Sequence, residues 1–156
     1  MLIISVSLLF TGCFNSQSTD EVVNVATDDV EMNEAISSAQ ESLSHYWSIY
    51  ENRNNGESNF ALKVRIEDEM GNVEHFWAVD IRKQDGKIFG VIDNEPVYVK
   101  TVEYGQEIEI PDKDISDWTY VKDNKTYGGF TIRVLLDRIS KEEAEQIGSQ
   151  LSEQPY

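Results

Sequence analysis

Few side chains in this sequence could do chemistry, and their spacing narrows the field further. Histidine occurs only at positions 45 and 75, and cysteine only at 13. Nucleophilic catalysis needs a Ser, Cys or Thr beside a base that is itself oriented. With His45 and His75 as the only imidazoles and no Gly-x-Ser-x-Gly turn, hydrolase chemistry of that kind has little to stand on. Both histidines sit among aromatic residues, His45 before Tyr46-Trp47 and His75 two before Trp77, so packing is their expected role. A lone cysteine excludes an internal disulfide and any Cys-based zinc site. Paired carboxylates held roughly 5–10 Å apart could act as acid and base on a glycosidic bond. Among 29 acidic residues, Asp114 and Asp117 stand out because Trp118 follows directly and could stack on a sugar ring. The competing reading is a solvated loop in which Asp114 caps a turn and Asp117 holds loop amides.

The remaining motifs are weaker. Asp112-x-Asp114-x-Ser116-Asp117 resembles the opening of a calcium loop, but Asp117 and Asp123 stand where Gly and Glu are needed. Gly128-Gly129 is followed by no Lys-Ser or Lys-Thr, so it is no phosphate loop; it should supply positive φ or a close backbone approach. Trp77, Trp118, Tyr120 and Tyr127 suit core packing, with a groove for glycan or peptide as the alternative. The candidate binding surface is therefore Asp114, Asp117, Trp118, Tyr120 and Arg133. No catalytic residue, metal ligand or cofactor is assigned.

Charge limits the partners. The formal net charge is −16, with 29 acidic against 13 basic residues. Nucleic-acid binding runs on Lys and Arg neutralising phosphates, so that class is excluded. Anionic lipid surfaces are disfavoured for the same reason, whereas cationic partners fit.

The elements that must position these residues read as one domain over residues 30–152. Met32, Ile36, Ala39, Leu43, Tyr46, Trp47 and Tyr50 recur at three- and four-residue spacing, which predicts an amphipathic helix over residues 30–50, opened by Asp28 with Glu31. From Phe60 the period becomes two, with Phe60, Leu62, Val64 and Ile66 on one face and Lys63 and Arg65 on the wet one. Gly71-Asn72 turns into a second strand, with Val73, His75, Trp77, Val79 and Ile81 on one face. Asp85-Gly86 is a hairpin signal and returns residues 87–92 as a third. Short strands follow at residues 97–99 and 107–110 and around Trp118–Val121, the last closed by Asp123-Asn124. Residues 131–139 fit a helix better than a strand because three consecutive apolar residues break the alternation. Ser140-Lys141-Glu142-Glu143 is a capping box for a last helix, and residues 153–156 should fray. The expected fold class is α+β: an N-terminal helix on a strongly bent antiparallel sheet or small partly open barrel, with a short C-terminal helix.

Residues 1–12 read as an address. The apolar run is too short to span a membrane, which takes roughly twenty residues, and suits an export signal. Leu9-Phe10-Thr11-Gly12-Cys13 resembles the lipobox of bacterial lipoproteins, although Phe10 stands where Leu is usual and no Lys or Arg precedes the run. The resemblance implies diacylation of Cys13 and membrane attachment through that lipid. Residues 13–29, polar and acidic, then form a flexible tether. In a two-membrane envelope, Phe14 in place of Asp after the cysteine directs the protein to the outer membrane.

Five ordered blocks carry a wider resemblance: Glu31-Met32-Asn33-Glu34-Ala35-Ile36, Asn59-Phe60-Ala61-Leu62-Lys63-Val64, Asn94-Glu95-Pro96-Val97-Tyr98, Asp114-Ile115-Ser116-Asp117-Trp118 and Gly128-Gly129-Phe130-Thr131-Ile132-Arg133. Together they resemble the bacterial YegJ-like family, domain of unknown function 2314, across about residues 30–145. The resemblance implies a compact α+β domain and supplies no functional residues. The expected function is a non-catalytic envelope module that binds a protein or cell-wall component. The alternatives are an envelope hydrolase of glycan or peptide using Asp114 and Asp117, or an immunity-type protein neutralising a basic toxin. Asp117, Trp118 and Arg133 are expected to converge on one concave surface.

Overall fold

The computed structural model describes residues 2–5, 22–25, 28–53 and 55–156, the first two stretches by backbone alone. Cys13 and most of the expected leader and tether lie outside the described residues. Strands β1 (Leu2–Ser5) and β2 (Val22–Val25) pair antiparallel.

The expected first helix is two: α1 (Val30–Glu41) and α2 (Leu43–Glu51). The break at Ser42 has an identifiable cause. The Trp118 indole N–H donates to Ala39 O at 3.0 Å and to Ser42 Oγ at 3.1 Å, while the single Ser42 hydroxyl hydrogen is shared between Ser38 O at 2.8 Å and Ala39 O at 3.0 Å. Side chains that compete for carbonyls of the helical ladder loosen it, and helices kink at such points. The N-cap also moves. Asp29, not Asp28, caps α1 by accepting from Met32 N at 2.9 Å, and it holds the Arg138 guanidinium as well.

Six strands form an open antiparallel sheet: β3 (Ser58–Glu67), β4 (Val73–Gln84), β5 (Lys87–Ile92), β6 (Glu107–Ile110), β7 (Ile115–Lys122) and β8 (Lys125–Gly128), in spatial order β6-β5-β4-β3-β7-β8. Strand β1 lies parallel to β4 on the stretch that β5 leaves open, Leu2 opposite Val73 and Ile4 opposite His75. Asp85-Gly86 and Asp123-Asn124 have φ of 51° and 77°, and of 50° and 59°, as primed hairpin turns require. One strand face departs from strict alternation. A bulge at Asp80 (φ 50°) falls between Val79 and Arg82, and it moves Ile81 from the Val79 face to the core beside Ala78, Ile88 and Ile110.

Both sheet faces are covered. On one, Leu62, Val64, Trp118 and Tyr120 pack against Ala35, Ala39 and Tyr46 of the first helices. On the other, Ala61 and Trp77 pack against Ile132, Ile147 and Leu151. These come from α3 (Phe130–Leu135), α4 (Lys141–Gly148) and the segment after α4. Helix α3 also joins the two sides: Phe130 reaches the first core, and Leu135 packs on Met32 of α1. Ser140 makes the expected capping box. The C-terminal tail is docked rather than frayed. Gly128 N–H donates to Pro155 O at 2.8 Å, and the Tyr156 ring lies 5.2 Å from His45.

Candidate functional site

The junction of β7 with α3 gathers most of the chemistry-bearing residues. At the β3–β7 pairing, Lys63 faces Asp117 and Val64 faces Ile115, so Ser116 is an extra residue; Ile115 joins Trp118 in the core under the first helices, while Asp117 lies opposite Lys63, against Thr131 of α3. There Asp117 is fully enclosed. Its Oδ1 accepts from Trp118 N at 2.8 Å and Phe130 N at 3.1 Å; its Oδ2 accepts from Thr131 N at 2.8 Å and Thr131 Oγ1 at 2.6 Å. The chain can make this approach only through glycine. A Cβ on Gly128 (φ 77°) would lie 2.0 Å from Trp118 O, which meets the expectation of both positive φ and close contact. Lys63, also fully enclosed, donates from Nζ to Thr131 Oγ1 at 3.2 Å, with the Trp77 ring 5.2 Å away. Burial pushes its ammonium down to about 8, with Asp117 pulling the other way. Burial likewise pushes the Asp117 carboxyl up, opposed by the Lys63 charge and by the hydrogen bonds from Thr131 and Trp118.

His75 continues the same buried set. Its Nδ1 lies 2.7 Å from Ser116 Oγ, and that hydroxyl donates to Lys63 O at 3.2 Å. A hydroxyl has one hydrogen. Its hydrogen goes either to Lys63 O or to the ring, and the other ring nitrogen, Nε2, is buried with no partner among the described residues. Burial, assisted by the Lys63 and Arg65 charges, pushes this ring down to about 3. It is a neutral packing histidine under ordinary conditions.

Three of the sequence-selected residues meet here, but inside the protein. Trp118 is fully buried and Tyr120 nearly so, stacked on Trp118 at 6.0 Å and on Tyr127 at 5.1 Å. Arg133 is half-buried, with Nε donating to Gly128 O and its two terminal nitrogens to Ser152 O and Oγ, so it ties the C-terminal segment to the junction. Asp117, Trp118 and Arg133 thus converge around residues 128–131 as interior scaffold, and the concave binding surface expected of them is not what they build. Asp114 stands apart on the 3₁₀ turn Asp112–Asp114. Among the described residues no three His, Cys, Asp or Glu side chains are grouped to hold a metal ion.

A second polar construction has no counterpart in the sequence reading. Residues 97–99 form no strand, because their amides are taken by a side chain. Glu74, fully enclosed, accepts from Val97 N (3.1 and 3.2 Å), Tyr98 N (3.1 Å) and Val99 N (3.2 Å). The loop of residues 93–105 closes on itself: Gly105 N donates to Ile92 O and Ile92 N to Gln106 O, while Val99 and Val102 pack on Phe76 and Ile92. Ends held together and a filled interior define an Ω-loop. The buried Asn94 joins it to β4, its Oδ1 accepting from Trp77 N at 2.8 Å. The signal was the block Asn94-Glu95-Pro96-Val97-Tyr98; its acceptor, Glu74, carried none.

The fold and these buried carboxylates define an α+β domain with Lys63, Glu74 and Asp117 built into its interior. The chain belongs to the bacterial family described as "Uncharacterized protein conserved in bacteria (DUF2314)", whose model matches residues 29–152. It is 39% identical over 144 residues to the uncharacterized protein YegJ of Escherichia coli strain K12, covering 92% of each chain. It is also 41% identical over 70 residues, 45% of this chain, to a Neisseria meningitidis serogroup B protein named "Putative ankyrin repeat protein", of which that stretch is 28%. No solved structure matches.

Proposed function

We propose that this chain is a lipid-anchored envelope protein whose domain binds a partner rather than transforming one. The observation carrying the reading is the fate of the reactive residues. Asp117, Lys63, His75 and Trp118 are all enclosed, and each makes hydrogen bonds that hold the fold. A carboxylate saturated by internal donors has no lone pair left for a substrate proton. The Leu9–Cys13 motif supports the anchor, and the polar segment before α1 supports a tether. A stretch similar to 70 residues of this chain also occurs within a longer protein named as a putative ankyrin repeat protein, and ankyrin arrays form extended binding surfaces.

Metabolic labelling with palmitate, in cells with and without a lipoprotein signal-peptidase inhibitor, tests the reading. Label on the wild type, none on Cys13→Ala, and accumulation of precursor under the inhibitor are expected. Unlabelled protein recovered whole from the cytosol would overturn it. Processing at Cys13 would also remove Leu2–Ser5 from its place beside β4. Amide exchange at Val73–His75 should therefore rise in the mature protein relative to the precursor.

A further inference from the structure

Resting on the reading that the domain binds, we infer that its docking surface is the Ω-loop of residues 93–105 with the neighbouring turn at Met70, and that the partner is a cationic protein segment carrying Lys or Arg among apolar side chains. The first support is exposure. Val97 (39%), Tyr98 (43%), Tyr104 (59%) and Met70 (80%) make up most of the large apolar side chains that the described residues leave in solvent. Met70, Val97 and Tyr98 share one end of the sheet, because the turn of residues 68–72 opens β4 and Glu74, near the start of that strand, holds residues 97–99; Tyr104 stands at the stem of the same loop, next to Gly105, which bonds Ile92. Exposed apolar side chains gathered in this way mark contact sites, and tyrosine is enriched among the residues that dominate interfaces.

The second support is charge. Four exposed carboxylates on or beside the sheet have basic neighbours, Glu67 with Arg65, Glu107 with Arg82, Glu51 with Lys83 and Glu109 with Lys87, whereas Asp80 and Asp85 have none among the described residues. Around the loop such carboxylates stand beside exposed tyrosines. Glu69, Glu95 and Glu103 are exposed and make no ion pair among the described residues, and the local cation, Lys100, is folded back onto Pro96 O at 2.9 Å. Carboxylates beside tyrosine faces suit an ammonium or guanidinium, which gains both an ion pair and a cation–π contact. They repel anionic polymers and offer a neutral glycan no matching charge.

The third support is rigidity. Three backbone amides pinned by an enclosed carboxylate, and two valines buried beneath, hold Val97 and Tyr98 in one geometry before any partner arrives. A pre-ordered loop loses little conformational freedom on binding.

The test is an NMR titration of the isotopically labelled full chain with a short peptide of alternating Lys and Leu, and in parallel with a neutral chitin oligosaccharide. Peptide-induced shifts should concentrate at residues 69–70 and 95–104 and fade in about 0.5 M salt. Tyr98→Ser and Tyr104→Ser should each weaken binding by about tenfold or more, as should Glu95→Gln with Glu103→Gln. Glu142→Gln with Glu145→Gln on α4 should leave it unchanged. Equal weakening by both acidic pairs, or shifts centred elsewhere, would overturn the loop assignment while leaving the binding reading intact. Loop shifts with the oligosaccharide alone would overturn the partner class. No binding of either probe at any residue would count against both.

Discussion

Asp117 and Glu74 are carboxylates of the same degree of enclosure, and each accepts from three backbone amides, yet they serve opposite ends of the molecule. Asp117 fastens β7 to α3, with Trp118 and Lys63 sealed around it, and everything it organises is interior. Glu74 holds a loop whose amides point inward and whose side chains Val97 and Tyr98 point out. One chemical device thus builds core in one place and presents surface in the other. The difference lies in what the captured amides belong to: a helix start covered by the sheet, or a closed loop whose outer side chains are exposed. Removing each carboxylate should therefore damage different things.

Asp117→Ala tests the interior side and should have the largest effect. It strands three amides and the Thr131 hydroxyl, and it leaves the Lys63 ammonium buried without its counter-charge. Removing one partner from a buried charged set costs about 3–5 kcal/mol. Urea unfolding should show that loss, or no folded protein at all. A loss below about 1 kcal/mol would mean that the knot is decoration.

The acid limb of stability sharpens the same side. His75 is held neutral down to about 3, whereas an unfolded imidazole takes its proton near about 6.5. Between those values the unfolded chain binds the extra proton, so stability rises with pH across the window and is lost on acidification, by up to about 1.4 kcal/mol per unit from this group. The raised Asp117 carboxyl acts in the opposite sense above its ordinary value. The two are separated by His75→Asn, which keeps a hydrogen-bonding group toward Ser116 and cannot titrate. Its stability, measured by urea unfolding from pH 4 to 6.5, should depend less steeply on pH than that of the wild type. Equal slopes would clear His75 of the effect.

What the sequence reveals follows the range of the interaction responsible. The hairpins at Asp85-Gly86 and Asp123-Asn124, the capping box at Ser140 and the α+β pattern are set by neighbours within a few residues, and they are legible. Lys63 and Glu74 are not. Alternation places Lys63 on a wet face, but α3 and the Trp77 ring close over it, on the face that also carries the core of Ala61, Ile132 and Ile147. Glu74 disappears beneath a loop that begins some twenty residues later. The break in the first helix depends on an indole in β7 that donates to Ala39 and Ser42. The candidate site divides along the same line. The blocks holding Asp117, Trp118 and Arg133 do meet, as their distinctiveness suggested, but whether they face solvent was decided by Gly128 and a tail of which the sequence predicted only fraying.

Glu74→Ala tests the surface side and should cost less stability than Asp117→Ala, because the amides it releases lie in a loop that water can reach. A hydrogen bond to a charged group contributes about 1.5–3 kcal/mol, and these three amides share one carboxylate, so a total in that range is expected rather than three times as much. The informative readout is local. Amide exchange at residues 97–99 should accelerate, while exchange at residues 118 and 130–131, held by Asp117, should change only as far as global stability does. In Asp117→Ala variants that still fold, the pattern should reverse. If Glu74→Ala instead loosened both regions equally, the two carboxylates would be parts of one cooperative core. The loop would then be no more separable than a strand, and its tyrosines would owe their exposure to the packing of the whole domain rather than to a clamp of their own.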